Sequence, residues 1–262
     1  MLTAEQEGGQ IKAHNYWSDK HYGHLRLDVL GERRASLEPS KINRHREQSR
    51  PSLGQRRSTT TNPSRSANFT AEATTGAPNQ DQPYVIVRKF TLSNDDEPFA
   101  RMREITQLQY SHWPDFGAPA HPAHLLGLIE QTDAVVRSVS GSTPLQPEPT
   151  NSRPIVVHCS AGCGRTGTFC TVDSVLDMLK RQRQTRHTRQ TTSMDVETGS
   201  GSLSRNECER GSWLKSEEVD LIAKTVEDFR LQRLSMVQSL RQFVLCYESV
   251  MEWLVEQHPK SA

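Results

Sequence analysis

The sequence predicts an α/β (α+β) fold in which a central mixed sheet is flanked by helices. Three observations lead there: runs of strand-forming residues, later segments with apolar residues at helical spacing, and an apolar triplet that passes through a glycine-rich turn into a helix. Residues 25–29 alternate apolar and polar side chains, and residues 84–90 and 103–110 are rich in β-branched and aromatic types, so the three are expected as consecutive antiparallel strands. From Pro122 to about Val139, Leu125, Leu126, Ile129, Ala134 and Val135 mark a helix closed by the Gly/Pro-rich run 141–154. Ile155-Val156-Val157 reads as a short buried strand, and in the segment after it Phe169, Val172, Val175, Leu176 and Leu179 line one face of a helix over 167–180. Two more helices are expected, one from Ser216 to about Leu231 and one from Val237 to about Glu256.

Composition narrows the function classes. In 262 residues, 32 Lys+Arg against 31 Asp+Glu leave a formal charge of +1, without the whole-chain positive field of a nucleic-acid binder. No run approaches the roughly 18 apolar residues of a membrane span. Hydrophobic residues make up only 34%, because two polar stretches dilute the core. These stretches, 31–82 and 182–212, are rich in Ser, Thr, Arg and Gly and are expected to be disordered insertions. The five cysteines are odd in number and few, which argues against a disulfide framework. With no signal-peptide pattern at Met1, a cytoplasmic location is expected, a nuclear one being the other choice.

The chemistry concentrates in His158-Cys159-Ser160-Ala161-Gly162-Cys163-Gly164-Arg165-Thr166. A strand that reverses into a helix through small residues turns successive backbone N–H groups into one concavity, a nest for a tetrahedral anion. The positive end of the helix dipole adds to it. Cys159 opens this loop, where amides and dipole favour its thiolate. Arg165, six positions on, supplies a planar guanidinium able to bind two phosphoryl oxygens at once. The same residues allow blander readings. Cys159 could be a buried small hydrophobe, and His158, Cys159 and Cys163 could suggest zinc, although no second ligand pair stands at the usual spacing. Asp115, after a proline, could be a turn residue, and Gln238 and Gln242 surface residues.

This loop resembles the signature of cysteine-dependent protein tyrosine phosphatases. Three other motifs resemble the tyrosine-specific branch of that family: the run from His112 through Trp113-Pro114-Asp115 to Pro119 its mobile acid loop, Val237-Gln238-Ser239-Leu240-Arg241-Gln242-Phe243 its glutamine loop, and the run from Glu7 through Gly8-Gly9-Gln10-Ile11-Lys12 to Tyr16-Trp17 its glutamate loop. The resemblance implies a phosphatase-like fold that hydrolyses phosphotyrosine in proteins, without cofactor or metal. In that reading Cys159 is the nucleophile, Asp115 the general acid and base, and Arg165 the phosphate ligand, paired with Glu7. Ser160, Ala161, Gly162, Cys163 and Gly164 supply backbone donors. Gln238 orients water with Gln242 in support, Thr166 helps expel the thiolate, and His158 tunes it.

The family pattern departs at the start. The glutamate loop stands within the first ten residues, so residues 1–262 are expected to form a partial, N-terminally incomplete domain, with Met1 an internal methionine of a longer frame. The aromatic that would clamp a phosphotyrosine ring is not assigned by the resemblance. A phosphoprotein-binding module without turnover is the alternative, and oligomeric state is left undefined by the sequence.

Overall fold

The structure, a computed structural model, describes residues 1–38, 83–149, 152–192 and 219–257, with side chains beyond Arg186 in the third segment left aside. Strands β1 (Gln6–Glu7) and β2 (Gln10–Ile11) form a small antiparallel hairpin. Its turn is Gly8-Gly9, both at positive φ (57° and 79°), a conformation that a side chain would strain. The main sheet has the order β3-β4-β5-β6, built from His21–Tyr22, Leu25–Ser36, Tyr84–Asn94 and Arg103–Gln109. All its ladders are antiparallel, as expected of the three longer strands.

Beyond β6 the layer changes sense. The Met1 amino group donates to Leu108 O at 2.9 Å and Tyr110 N–H to Met1 O at 2.9 Å, the two bonds a parallel neighbour makes. Leu2 N–H then reaches His158 O at 2.8 Å. Through the bridge of Met1 and Leu2, the loop that carries Asp115 after β6 and the loop at Cys159 are brought to the same end of the sheet.

Four helices cover the layer among the described residues: α1 (Pro122–Ser140), α2 (Gly164–Thr192), α3 (Leu221–Gln232) and α4 (Leu240–Gln257). Pro122 suits the first turn of α1, and Gly141, at φ 70°, ends it by donating to Arg137 O. Asp220 caps α3, accepting from the N–H groups of Ile222 and Ala223 at 2.9 and 3.0 Å. The core joins Val85 and Val87 of β5, Leu125, Leu128 and Ile129 of α1, Phe169, Val172, Val175 and Leu176 of α2, and Leu245 and Val250 of α4.

Several expectations are corrected. The polar stretch from Gly31 does not begin an insertion: β4 runs to Ser36, paired residue by residue with β5, and two of its charged side chains find partners there. Glu32 pairs with Arg88 at 2.6 Å, and the Arg34 guanidinium stacks 4.5 Å over the Tyr84 ring. Residues 39–82 lie outside the described residues. The second stretch, from residue 182, likewise begins as helix, since α2 continues to Thr192. Residues 193–212 are outside the description, as are 216–218 of the third predicted helix. Ile155-Val156-Val157 is not a strand, and Val156 is 84% exposed. Only the single bond to His158 O ties that segment to the bridge, so no ladder forms. In α1 the buried face turns past Ala134, which is exposed, to Val136. No described helix is long and apolar enough to cross a membrane.

Two stability predictions follow from the helix faces. Gly127 sits where a Cβ would lie 2.1 Å from Leu37 O, so α1 packs directly on backbone. Gly127→Ala should lower unfolding stability by about 2 kcal/mol or more in urea denaturation. Asp173 of α2 is pushed up to about 7 by burial, with Asp133, Glu148 and Asp177 adding to the shift and Lys180 opposing it. A carboxyl raised on folding holds a proton that the unfolded chain releases, so its contribution to stability falls as pH climbs from about 4 to 7. Asp173→Asn should therefore stabilise the fold at pH 8, by on the order of 1–3 kcal/mol, and leave it nearly unchanged at pH 4.

Candidate active site

The loop from His158 to Gly164 turns directly into α2, whose first residues are Gly164, Arg165 and Thr166. The reversal needs Gly162 at φ 70°, which a glycine adopts without strain. Cys159 is 93% buried at the loop's start, and its sulfur faces inward. The Gly162 N–H reaches Sγ at 3.2 Å, and the Thr166 hydroxyl donates to it at 3.2 Å. Burial pushes the thiol up, but the Thr166 hydroxyl and the amides of Thr166, Gly162 and Cys163 outweigh it, leaving Cys159 below the usual thiol range. At Cys170 and Cys246 burial dominates and pushes the thiols up to about 11 and about 12, although the Cys246 amide works against it. All four described cysteines are free thiols.

Arg165 is nearly fully buried, and its guanidinium is fixed from three sides. Nη1 donates to Glu7 Oε1 at 2.5 Å and to Trp113 O at 2.8 Å, while Nη2 reaches Asp115 Oδ1 at 3.3 Å. Glu7 is itself held by the Thr3 hydroxyl at 2.7 Å. Arg165 Nε is buried with no partner among the described residues. A buried N–H left open is a donor that an anion in the loop can use.

Asp115 accepts from Lys12 Nζ at 2.9 Å as well as from Arg165, so two cations converge on it. Its loop hangs on Trp113, which is fully buried and donates through Nε1 to Gly117 O at 3.0 Å. The α3–α4 connection meets the loop from the other side: Ser239 Oγ donates to Phe116 O at 3.0 Å and Gln242 Nε2 to Gly117 O at 3.4 Å. Gln242 is buried and packs so closely on Gly164 that a Cβ there would lie 2.9 Å from its amide. Gln242 Oε1 also accepts from the N–H of Gln238, at 3.0 Å. The Gln238 side chain is exposed, so of the two glutamines only Gln242 is fitted against the loop.

His158 is half-buried, its Nε2 2.9 Å from the Tyr16 hydroxyl. Burial holds its imidazole below the ordinary histidine range, favouring the neutral ring. Tyr16 also accepts from Gln107 Nε2 at 2.7 Å, and Gln107 Oε1 accepts from the buried Arg88 at 3.0 Å. Ser160, Ala161, Cys163 and Gly164 lie in the loop as the motif orders them.

Sequence reasoning missed four contributors. Lys12 stood inside a quoted motif without a role, and its spacing from Asp115 carries no signal. Tyr16 and Ser239 also stood inside quoted motifs without a role, and they act through hydrogen bonds that span more than a hundred residues. Arg233, exposed in the α3–α4 connection, donates through Nη2 to Ala161 O at 2.8 Å and through Nε to Cys163 Sγ at 3.2 Å. No group of His, Cys, Asp and Glu among the described residues could hold a metal ion.

An inward sulfur among amide donors, a buried arginine and a carboxylate at the rim stand together on an α/β frame, an arrangement able to hold a tetrahedral anion beside a thiolate. The family model described as "Protein-tyrosine phosphatase" matches residues 56–196, more than half of the chain, and the chain belongs to that family. Tyrosine phosphatase H3 of Microplitis demolitor bracovirus is 32% identical over 158 residues, 60% of this chain and 37% of that protein. Human tyrosine-protein phosphatase non-receptor type 18 is 46% identical over 80 residues, 30% of this chain and 15% of that protein. The chain thus spans well under two thirds of the curated relatives it matches. A solved structure of PTPN18 in complex with HER2 phosphopeptides shares the fold, with a TM-score of 0.51 and 21% identity over 97% of this chain and 61% of that one.

The donors to Cys159 give a direct test. Thr166→Val removes the hydroxyl and keeps the volume, so the Cys159 thiolate should form at higher pH, seen as an alkaline displacement of its iodoacetamide alkylation profile.

Proposed function

We propose that this chain hydrolyses phosphotyrosine in proteins through a cysteinyl-phosphate intermediate. The observation that carries the reading is the Cys159 sulfur turned into the loop beneath the Gly162 amide, with Thr166 donating to it and Arg165 locked beside the acid loop. In the first step Cys159 Sγ attacks phosphorus and the bond to the aryl oxygen breaks, with Asp115 giving its proton to the departing tyrosine oxygen. The loop amides and the Arg165 guanidinium carry the charge spread over the equatorial oxygens. In the second step Asp115 takes a proton from water, which attacks phosphorus as the P–S bond breaks and the Thr166 hydroxyl receives the returning thiolate. Gln242 shapes the floor for that water, and Gln238, exposed beside it, is the group left to direct it.

Entry of a phosphoryl dianion competes with Asp115 for Arg165, because both draw on the same guanidinium. Substrate therefore loosens one of the two cation contacts on Asp115 as it binds. Phosphotyrosyl proteins as substrates are supported by family membership and by the phosphopeptides bound to the PTPN18 relative. A cytoplasmic location is part of the same reading, supported by the non-receptor relatives.

Acid quench during turnover of a phosphotyrosyl peptide should leave phosphate on Cys159. Cys159→Ser should abolish turnover, and Asp115→Asn should lower kcat by about 10²–10⁴-fold while leaving vanadate binding intact. A folded sample that binds vanadate without hydrolysing an aryl phosphate would replace the enzyme reading by a phosphoprotein-binding module, and Cys159→Ser turning over at the wild-type rate would end the mechanism.

A further inference from the structure

We infer that Arg233 is a positioning residue that fixes the Ala161–Gly162 peptide with its N–H toward the Cys159 sulfur. The inference deepens the reading of the loop as an oxyanion site and rests on it. One rigid peptide unit carries both contacts: its carbonyl, Ala161 O, accepts from Arg233 Nη2 at 2.8 Å, and its amide, Gly162 N–H, points at Cys159 Sγ at 3.2 Å. A guanidinium on the carbonyl end therefore sets the direction of the amide end and polarises it.

The peptide needs such an anchor. Its carbonyl points out of the loop, and Gly162 is the one loop residue at positive φ, with little steric resistance to rotation of the unit. A flipped peptide would present a carbonyl oxygen to the thiolate and to any oxyanion, replacing attraction by repulsion. Arg233 is well placed to prevent this because its own backbone is pinned. Its N–H closes α3 on Phe229 O at 2.8 Å, and its carbonyl accepts from Met236 N–H at 3.1 Å. Arg230, one helical turn earlier, holds the carbonyls of Met236 and Val237 at 3.0 and 2.9 Å, and Val237 N–H in turn reaches Cys163 O at 3.3 Å. The α3–α4 connection thus grips the outer side of the loop at Ala161 and Cys163. The second Arg233 contact, from Nε to Cys163 Sγ at 3.2 Å, fixes the plane of the guanidinium.

The test compares Arg233→Met, which keeps the aliphatic stem but no donor, with Arg233→Lys, which can still donate to one carbonyl. Iodoacetamide alkylation of Cys159, located by fragment mass spectrometry, is followed at pH 6, together with protection by inorganic phosphate. Arg233→Met should slow alkylation at pH 6 by about fivefold and weaken phosphate protection by a similar factor, the size of one lost hydrogen bond, with no loss at pH 9. Arg233→Lys should recover most of both. A purely structural arginine would move the thermal midpoint without displacing the pH profile. Superimposable profiles for wild type and Arg233→Met overturn the inference, as does a lysine variant no better than methionine. Should Arg233→Met not fold, the profile of Arg233→Gln, which has a shorter donor, decides in the same way. Neither measurement needs turnover, so a wild-type loop that phosphate does not protect would sink the oxyanion reading while leaving the orientation comparison to stand on alkylation alone.

Discussion

The site depends on a single geometric constraint: a run of backbone amides that would ordinarily alternate in direction must face one small volume. Amides and carbonyls lie at opposite ends of the same planar units, so every N–H turned inward sends a C=O outward. A loop of this kind is satisfied only if both ends find partners. Inside, the partner is the Cys159 sulfur, which takes the Gly162 amide. Outside, Ala161 O takes Arg233, and Cys163 O takes the N–H groups of Gly167 and Val237. The favourable interaction between amides and anion is thus inseparable from the unremarkable bonds on the loop's back, and the helix that begins at Gly164 extends the same arrangement through its own free N–H groups.

Placing a buried cation beside such a loop has a cost that the surroundings must offset. Arg165 is out of solvent, and an unpaired guanidinium there would be strongly destabilising. Glu7 and Asp115 supply two carboxylates, and Trp113 O a neutral acceptor. The two carboxylates differ in kind. Glu7 is fixed by Thr3 and leaves Arg165 only if the β1–β2 hairpin moves, whereas Asp115 sits on a loop attached through Trp113, Ser239 and Gln242. Asp115 is therefore the more easily exchanged of the two carboxylates on Arg165, since its departure leaves the guanidinium held by Glu7 and Trp113 O.

The loop and its arginine were legible because their chemistry is local. His158 to Thr166 contains the small residues, the glycine and the helix start within nine positions, and the helical faces of Phe169, Val172, Val175 and Leu176 follow from period alone. The three long strands were legible for the same reason. What escaped the sequence is whatever depends on a partner far along the chain. β4 continues past Gly31 through polar residues because β5 provides Arg88 and Tyr84 opposite them, and no pattern within 31–36 records that. The triplet Ile155-Val156-Val157 fails as a strand for the converse reason, since apolar residues form a ladder only where a neighbour offers backbone groups. Arg233 and Lys12 carry no local signature, because a single arginine or lysine in a connection is indistinguishable from a solvated one until the fold brings a carbonyl or carboxylate to it.

The lack of a ladder at Ile155-Val156-Val157 has a mechanical consequence for the loop. Its strand-side arm is tied by the Leu2 N–H to His158 O bond and by the Tyr16 hydroxyl at the His158 ring, both ending on one residue. The helix-side arm is held by α2, by Gln242 packed on Gly164, by the Val237 N–H on Cys163 O and by Arg233. Cys159 stands at the junction of a lightly held arm and a firmly held one. The buried chain from Arg88 through Gln107 and Tyr16 to His158 gives the lighter arm its second point of attachment, and each hydrogen bond in it depends on the one before for its orientation. The direction in which the Cys159 sulfur faces is therefore set from the helix side, by the Gly162 amide and the Thr166 hydroxyl, while the polar relay that begins on β5 holds the residue before it.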